Sequence, residues 1–273
     1  MGLFKPAWMS DNKGKALAAV EKLTDQRILA EIVGNADNDI DVRVSAVKKL
    51  TDQSVLEKIA ENANNSKDYF LCNKAMDKLT DQFILSRIAL NHFDWEMRSK
   101  AIEKLTDLSI LEMIAKNSEL STERMKALTK IIDQSVFTES AKNDKDQGVR
   151  YTAIEKLTNQ DALTYVAKKD EIFSLRLMAA EKLNDQSLAQ EIFTDIVKNA
   201  DADRDLREDL IKKLTDQNVL IEIMNGSIEN YVYSWQEDIF DYSDAETNLY
   251  GYNKVGQKTR TLDLRETARE RLA

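Results

Sequence analysis

Lys49-Leu50-Thr51-Asp52-Gln53 decides the fold, because the same five-residue word returns along nearly the whole chain. Its leucine falls at Leu23, Leu50, Leu79, Leu105, Leu157, Leu183 and Leu214, and Ile131 holds the slot in the fifth copy. Successive spacings are 27, 29, 26, 26, 26, 26 and 31 residues. A fixed period between about 20 and 50 residues marks stacked supersecondary units, each contacting its neighbours.

Upstream of the word lies the first helix of each unit. Seven residues before the leucine stands Arg43, Arg98, Arg124, Arg150, Arg176 or Arg207, with Ala16 and Cys72 as exceptions. Four before it is Ala19, Ala46, Ala75, Ala101, Ala127, Ala153 or Ala179, then Leu210. At about 100° per residue these positions share one helical face. Asp39, Asp68, Asp94, Asp146 and Asp203 precede the arginine by four, where an N-cap is wanted.

A second helix follows the word directly. Two residues past the leucine comes Asp25, Asp52, Asp81, Asp107, Asp133, Asn159, Asp185 or Asp216, side chains that accept from the free amides of a helix start. An apolar stripe such as Val55, Leu56, Ile59 and Ala60 continues for about ten residues. The stripe stops at Asn35, Asn62, Asn91, Asn117 and Asn143, and Asn tolerates the left-handed conformation that ends helices. Neither helix can bury its apolar face alone, so each pair stacks on the next. The expected fold is an all-α, right-handed α-solenoid of eight near-complete units and a ninth half-unit.

Composition agrees. Of 273 residues, 42% are hydrophobic and 32% charged, with one proline and seven glycines, which suits short-linked helices and not a disordered or all-β chain. The net charge of −9 counts against nucleic acid as partner. A single cysteine, Cys72, excludes an internal disulfide and a cysteine-based zinc site. No secretory signal and no membrane-length apolar run is present, and Pro6 breaks the myristoylation pattern. A soluble cytoplasmic protein is expected, without membrane contact.

The Val149-Arg150-Tyr151-Thr152-Ala153-Ile154-Glu155-Lys156-Leu157 helix, with an Asp before it and an Asx-opened helix after it, resembles HEAT-like repeats. The likeness is to the short bacterial type found in bilin-lyase relatives, with leucine-rich-variant solenoids as a second kinship. It spans about Asn12 to Gly226 and returns in Leu264-Arg265-Glu266-Thr267-Ala268-Arg269-Glu270-Arg271-Leu272, with Thr261 at the cap position. The resemblance implies a fold and says little of function, because such arrays mostly bind macromolecules and only some perform chemistry.

The repeated columns read as structure. The arginine lies within about 20° of the leucine, toward the core, so an Arg–Asp ladder with the Asp caps is expected. Lys22, Lys49, Lys78, Lys104, Lys130, Lys156, Lys182, Lys213 and Arg271 sit in the last turn of the first helix, where a cation meets the macrodipole. The glutamine column, from Gln26 to Gln217, is read as bonding copy to copy, with a peptide-binding amide ladder as the alternative. No catalytic constellation is found. His92 is the lone histidine, Cys72 reads as an inert packing residue, and the aspartate runs 37–41 and 201–205 lack a calcium loop's glycine and distal glutamate. No cofactor and no metal is expected.

Function is sought where copies differ. Met125, Tyr151 and Leu177 follow the arginine in three consecutive copies, with Met178 beside them, and read as an apolar strip or a wider core. From Leu214 to Arg265 is 51 residues, against 19 from Leu79 to Arg98, leaving 32 extra. This insert carries Tyr231, Tyr233, Trp235, Phe240, Tyr242, Tyr250 and Tyr252 among acidic residues, a composition interfaces favour. Tyr231 to Trp235 alternates as a strand does, and Gly251 to Gly256 reads as a turn; a flap sealing the last repeat is the competing view. Leu3, Phe4, Pro6 and Trp8 read as an apolar plug over the first unit. The organisation expected is a repeat array with N-terminal cap over 1–227, an insert over 228–260 and a half-repeat helix over 261–273. Its expected role is a non-catalytic scaffold for a protein or peptide partner, contacted through Met125, Tyr151, Leu177, Tyr231, Tyr233, Trp235, Tyr250 and Tyr252. A lyase-like enzyme or enzyme-associated subunit holding a small ligand is the alternative.

Overall fold

The computed structural model describes residues 6–61, 66–199, 202–226, 232–241 and 253–273. After a 3-10 turn at Ala7–Met9, the helices come in pairs, one pair per copy of the word. These are α1 (Lys13–Lys22) and α2 (Gln26–Gly34), α3 (Ile40–Lys49) and α4 (Gln53–Ala60), α5 (Ser66–Lys78) and α6 (Gln82–Asn91), α7 (Trp95–Lys104) and α8 (Leu108–Asn117). They continue as α9 (Ser121–Lys130) and α10 (Gln134–Asn143), α11 (Gln147–Lys156) and α12 (Gln160–Lys169), α13 (Phe173–Glu181) and α14 (Gln186–Lys198), α15 (Arg204–Lys213) and α16 (Gln217–Met224). Strands β1 (Val232–Asp241) and β2 (Asn253–Asp263) follow, then α17 (Leu264–Leu272).

The chain divides into two units, Met1–Ser140 with Asp144–Ala153, and Ala141–Asn143 with Ile154–Ala273. Within the first, α2 packs on α3, α4 on α5, α6 on α7 and α8 on α9, while α1, α3, α5, α7 and α9 contact one another in sequence. Within the second, α12 packs on α13, α13 on α14 and α14 on α15, and α17 closes against α15 and α16. Consecutive helix pairs stacked this way are an α-solenoid. Leu50, Leu79, Leu105, Leu157 and Leu214 are fully buried, and so are Ala46, Ala75, Ala101, Ala127 and Ala153. Each buried leucine stabilises by roughly 1.5–3 kcal/mol, and the alanines let neighbouring first helices approach.

Every residue of the word has an assignment. The aspartate caps the second helix: Asp52 Oδ1 accepts from the Ser54 and Val55 amides, and Asp25, Asp81, Asp107, Asp133, Asp185 and Asp216 cap their helices in the same way. The glutamine reaches the next copy. Gln26 Nε2 donates to the Lys49 carbonyl at 3.4 Å and its Oε1 accepts the Thr51 amide at 2.7 Å. Gln82 repeats this with Lys104 and Thr106, and Gln160 with Lys182 and Asn184. In the seventh copy α14 is longer; Gln186 turns back to the Leu183 carbonyl, and Gln190, one turn on, bonds Lys213 and Thr215.

The lysine column works backwards along the chain. Lys49 Nζ donates to the Glu21 carbonyl at 2.7 Å, Lys78 to that of Lys48, and Lys104 to those of Met76 and Asp77. Lys130 and Lys182 do the same to Ile102 and Glu103, and to Ile154 and Glu155. These lysines lie at the C-terminal ends of their own helices, as expected. These five also cap the first helix of the preceding copy, whose last carbonyls lack helical partners, while Lys213 pairs with the Glu181 carboxylate. Partial burial lowers the pKa of Lys104, Lys130 and Lys182.

The expected pairing of arginine with an Asp cap is seen in the closing half-unit, where Asp263 accepts both the Arg265 amide and its guanidinium. In the other copies the arginine also caps the C-terminus of the helix before it. Arg43 donates to the Val33 carbonyl, Arg98 to His92 and Phe93, Arg124 to Ser118 and Glu119, Arg150 to Asp144, Arg176 to Ala167 and Arg207 to Val197. Carboxylate partners come from elsewhere. Arg124 is bidentate to Asp144 at 2.7 Å for both bonds, Arg98 pairs with Glu123 at 2.9 Å and Arg176 with Asp195 at 2.5 Å. Cys72, in the arginine slot, keeps the contact: its buried Sγ donates to the Ile59 carbonyl at 3.0 Å.

Helix ends are corrected too. Asn35 has φ −84° and ψ 107°, which is extended and not left-handed. Asn91 and Asn117 are instead the last residues of their helices and donate their side-chain amides to the Arg87 and Met113 carbonyls, each at 3.1 Å. The amide group caps the helix without a change of hand.

The strand reading of the insert holds for 232–241, paired antiparallel with β2, and Tyr231 lies outside the described residues. Gly256 is not in a turn. It pairs with Ile239, beside a bulge where Phe240 already pairs with Lys254, leaving Val255 as the extra residue. Thr261 lies within β2, and Asp263 caps α17 in its place, accepting the Arg265 amide at 3.0 Å. At the other end Trp8 is buried beside α1, and Leu3 and Phe4 lie outside the described residues.

Candidate partner-binding site

With the repeated columns engaged in holding copies together, the exceptional positions mark the site. The residue two past the second-helix cap is Arg27, Ser54, Ser109, Ser135, Asp161, Ser187 or Asn218 in seven copies, and Phe83 in the third. Phe83 is 77% exposed. Nine past the cap, Gly34, Glu61, Lys116, Lys142 and Lys168 are answered in the third copy by exposed Leu90. Six past it, exposed Met113 stands where Glu31, Lys58, Arg87, Tyr165 and Glu139 stand elsewhere. Leu120, at a position where Asp39, Asp94, Asp146 and Asp203 are N-caps, is also exposed.

These four side chains line one stretch of surface on α6, α8 and the link from α8 to α9. A cavity of about 440 Å³ is bounded by Gln82, Phe83, Ser86, Arg87 and Leu90 on α6 and by Asp107 and Ile110 at the start of α8. A second, of about 470 Å³, continues past Leu90 to Ala89, Met113, Ile114 and Leu120. Its polar wall is Asn91, His92, Arg98, Asn117, Ser118, Glu119 and Glu123. Leu90 belongs to both, so the two form one groove. Phe93, 68% exposed, stacks on His92 with ring centroids 4.7 Å apart, and Trp95 opens α7, 55% exposed.

The arginines and the histidine here are already bonded. Arg98 Nε donates to Glu123 Oε1, and the other carboxylate oxygen accepts from Ser118 Oγ at 2.5 Å. Arg87 is held by Glu57 and Glu61. His92 is buried; the Asp94 amide donates to its Nδ1 at 3.0 Å, so Nε2 carries the proton and donates to the Ala60 carbonyl at 3.2 Å. Both ring nitrogens are thereby used to join the second, third and fourth copies. Chemically the groove can bury apolar groups; Arg87, Arg98, Glu123 and His92 serve as struts.

The residues expected from sequence fall elsewhere. Met125 is half-buried and lies against Gly148, and Tyr151 is about half exposed. Leu177 and Met178, in the second unit, are half-buried. Tyr233 and Trp235 lie on β1, where the register sets Trp235 opposite Arg260 and Glu237 opposite Lys258. Tyr231, Tyr250 and Tyr252 lie outside the described residues. The signal for Phe83, Leu90 and Met113 lies in the second-helix columns, where each is an apolar break in a column of mostly polar residues.

The helix pairs and their apolar groove fit a HEAT-like repeat protein. No family model matches the chain, and no curated protein matches it. Among solved structures, Escherichia coli YibA aligns over 79% of this chain and 91% of its own, at 16% identity and a TM-score of 0.43. No helix among the described residues is long and apolar enough to cross a membrane.

Proposed function

We propose that this chain is a non-catalytic scaffold that binds a protein or peptide partner on the groove of α6 and α8. The observation that carries the reading is Phe83, a large apolar side chain left 77% exposed where every sister copy places a polar one. Exposing one such residue is ordinary, but Phe83, Leu90, Met113 and Leu120 share a single groove, which is how interaction surfaces are built. The tightly coupled helices on either side keep the groove preformed, so little ordering opposes binding. The net charge of −9 supports polypeptide over nucleic acid as partner.

The test replaces Phe83→Ser and Leu90→Lys, residues that sister copies already carry at these positions. Crosslinked partners of the full-length protein are then compared between wild type and the double variant, with helicity measured on both. Selective loss of a partner at unchanged helicity is the expected result. Retention of every partner at wild-type yield overturns the assignment of the groove.

A further inference from the structure

We propose that the occupant of this groove is an amphipathic helix whose polar face is basic, an inference that rests on the scaffold reading above. Backbone chemistry argues for the helix. The groove walls are mainly side chains of α6 and α8, whose backbone groups bond within the helices. In the α8–α9 link the Ser118 and Glu119 carbonyls already accept from Arg124 and the Leu120 amide donates to Ser118 Oγ, so the walls offer no ladder to an incoming strand. An extended peptide laid against Phe83, Leu90 and Met113 would have its backbone polar groups unpaired over apolar surface, costing about 1–3 kcal/mol for each one buried. A helix satisfies those groups internally and presents only side chains. Phe83 and Leu90, seven residues apart on α6, are separated by about 10.5 Å along the axis, the pitch at which i and i+7 anchors of a second helix repeat.

Charge argues for the basic face. Both arginines that line the groove are neutralised, Arg87 by Glu57 and Glu61 and Arg98 by Glu123. The lining carboxylates beyond those pairs are Asp107 at one end and Glu119 at the other. Asn91 and Asn117 each spend one amide N–H on their own helices and are uncharged, so they add no charge of either sign to the wall. The charge left on the rim is therefore negative, and a partner must bring positive charge. An acidic helix of the same shape meets like charge at both ends.

The experiment titrates full-length protein into three labelled synthetic peptides of about 18 residues, long enough for five turns, and follows fluorescence anisotropy. One is a leucine–lysine amphipathic helix, one its leucine–glutamate counterpart, and one the leucine–lysine sequence interrupted by proline. The first is expected to bind at least about tenfold more tightly than either of the others. That preference is expected to vanish in the Phe83→Ser, Leu90→Lys variant and to narrow in Glu119→Lys. Equal binding of the glutamate peptide overturns the basic face, and equal binding of the proline peptide overturns the helix; both leave the groove as a partner site. Binding that persists in the double variant overturns the groove itself. Failure of all three peptides on wild type overturns the inference, with the crosslinking comparison then deciding the scaffold reading independently.

Discussion

Gln53 Oε1 accepts the backbone N–H of Thr80 at 2.7 Å, a bond between residues 27 apart that ties the second helix of one copy to the link of the next. The same oxygen accepts the Asp81 amide at 3.1 Å, and Nε2 donates to the Lys78 carbonyl at 3.4 Å. Gln53→Ala strands backbone groups of that link, and a loss of about 1–3 kcal/mol is expected in urea denaturation. Gln53→Glu keeps the acceptor but turns a carboxylate oxygen toward the Lys78 carbonyl, so it is expected to rescue only part of that loss. Wild-type stability in the alanine variant would remove the clasp as a stabilising device.

Arg124 is 4% exposed and fixes both Asp144 and the carbonyls of Ser118 and Glu119. Its bond to Asp144 holds the guanidinium above the ordinary arginine value. Arg124→Ala leaves a nearly buried carboxylate unpaired, and roughly 3–5 kcal/mol should be lost. Arg124→Lys cannot reproduce the bidentate fork and should recover little of it. Cys72→Ala, which removes one thiol donor at the equivalent position, should cost far less. A comparable loss at both sites in parallel denaturation curves would contradict this account.

Acid should weaken the array through its caps. Asp52 and Asp107 lie below their ordinary value of 3.8, chiefly because the Ser54 and Ser109 hydroxyls donate to them, with backbone amides adding to the effect. A carboxyl lowered in the folded state contributes stability that is present above the unfolded pKa. That stability is lost as the pH falls from near 3.8 through the lowered folded value. Asn159 already caps α12 with its amide oxygen, accepting from Ala162 at 2.9 Å. Asp52→Asn with Asp107→Asn is therefore expected to match wild type at neutral pH and to show a shallower fall in melting temperature below about pH 4. An unchanged acid limb would mean that other carboxylates dominate it.

At the C-terminal end, Leu264 and Ala268 are fully buried as α17 closes on α15 and α16, and Arg271 donates to the Leu214 carbonyl. Leu264→Ala is expected to cost about 2–5 kcal/mol. Hydrogen exchange should show the loss as faster opening of α16. Protection unchanged there would show that α17 is not a cap.

The fold was legible because its cause is periodic. The leucine and alanine columns, the Asp caps and the two-helix unit all follow from spacing, which one chain with eight internal copies reports directly. Bond partners were less legible. Lys104 and Arg98 sit on the right faces, but a helical wheel cannot show that the first reaches back 28 residues to Met76 or that the second caps α6. The site was half legible. Met125 and Tyr151 depart from their column, yet Gly148 gives Met125 room to fold inward, whereas nothing beside Phe83 covers it. Departure from a column marks a candidate, and exposure decides it.

The glutamine of one copy fastens the link of its successor, and the lysine of that successor fastens the helix behind it. The joint recurs where a copy keeps both residues, as between Gln26 and Lys49, Gln53 and Lys78, Gln82 and Lys104, and Gln160 and Lys182. The fourth copy instead has Leu108 in the glutamine slot, and the seventh uses Gln190. Duplicating or excising a copy bounded by such joints regenerates intact joints on both sides. The chain can therefore grow or shrink by whole modules during evolution while the groove on the third and fourth remains untouched.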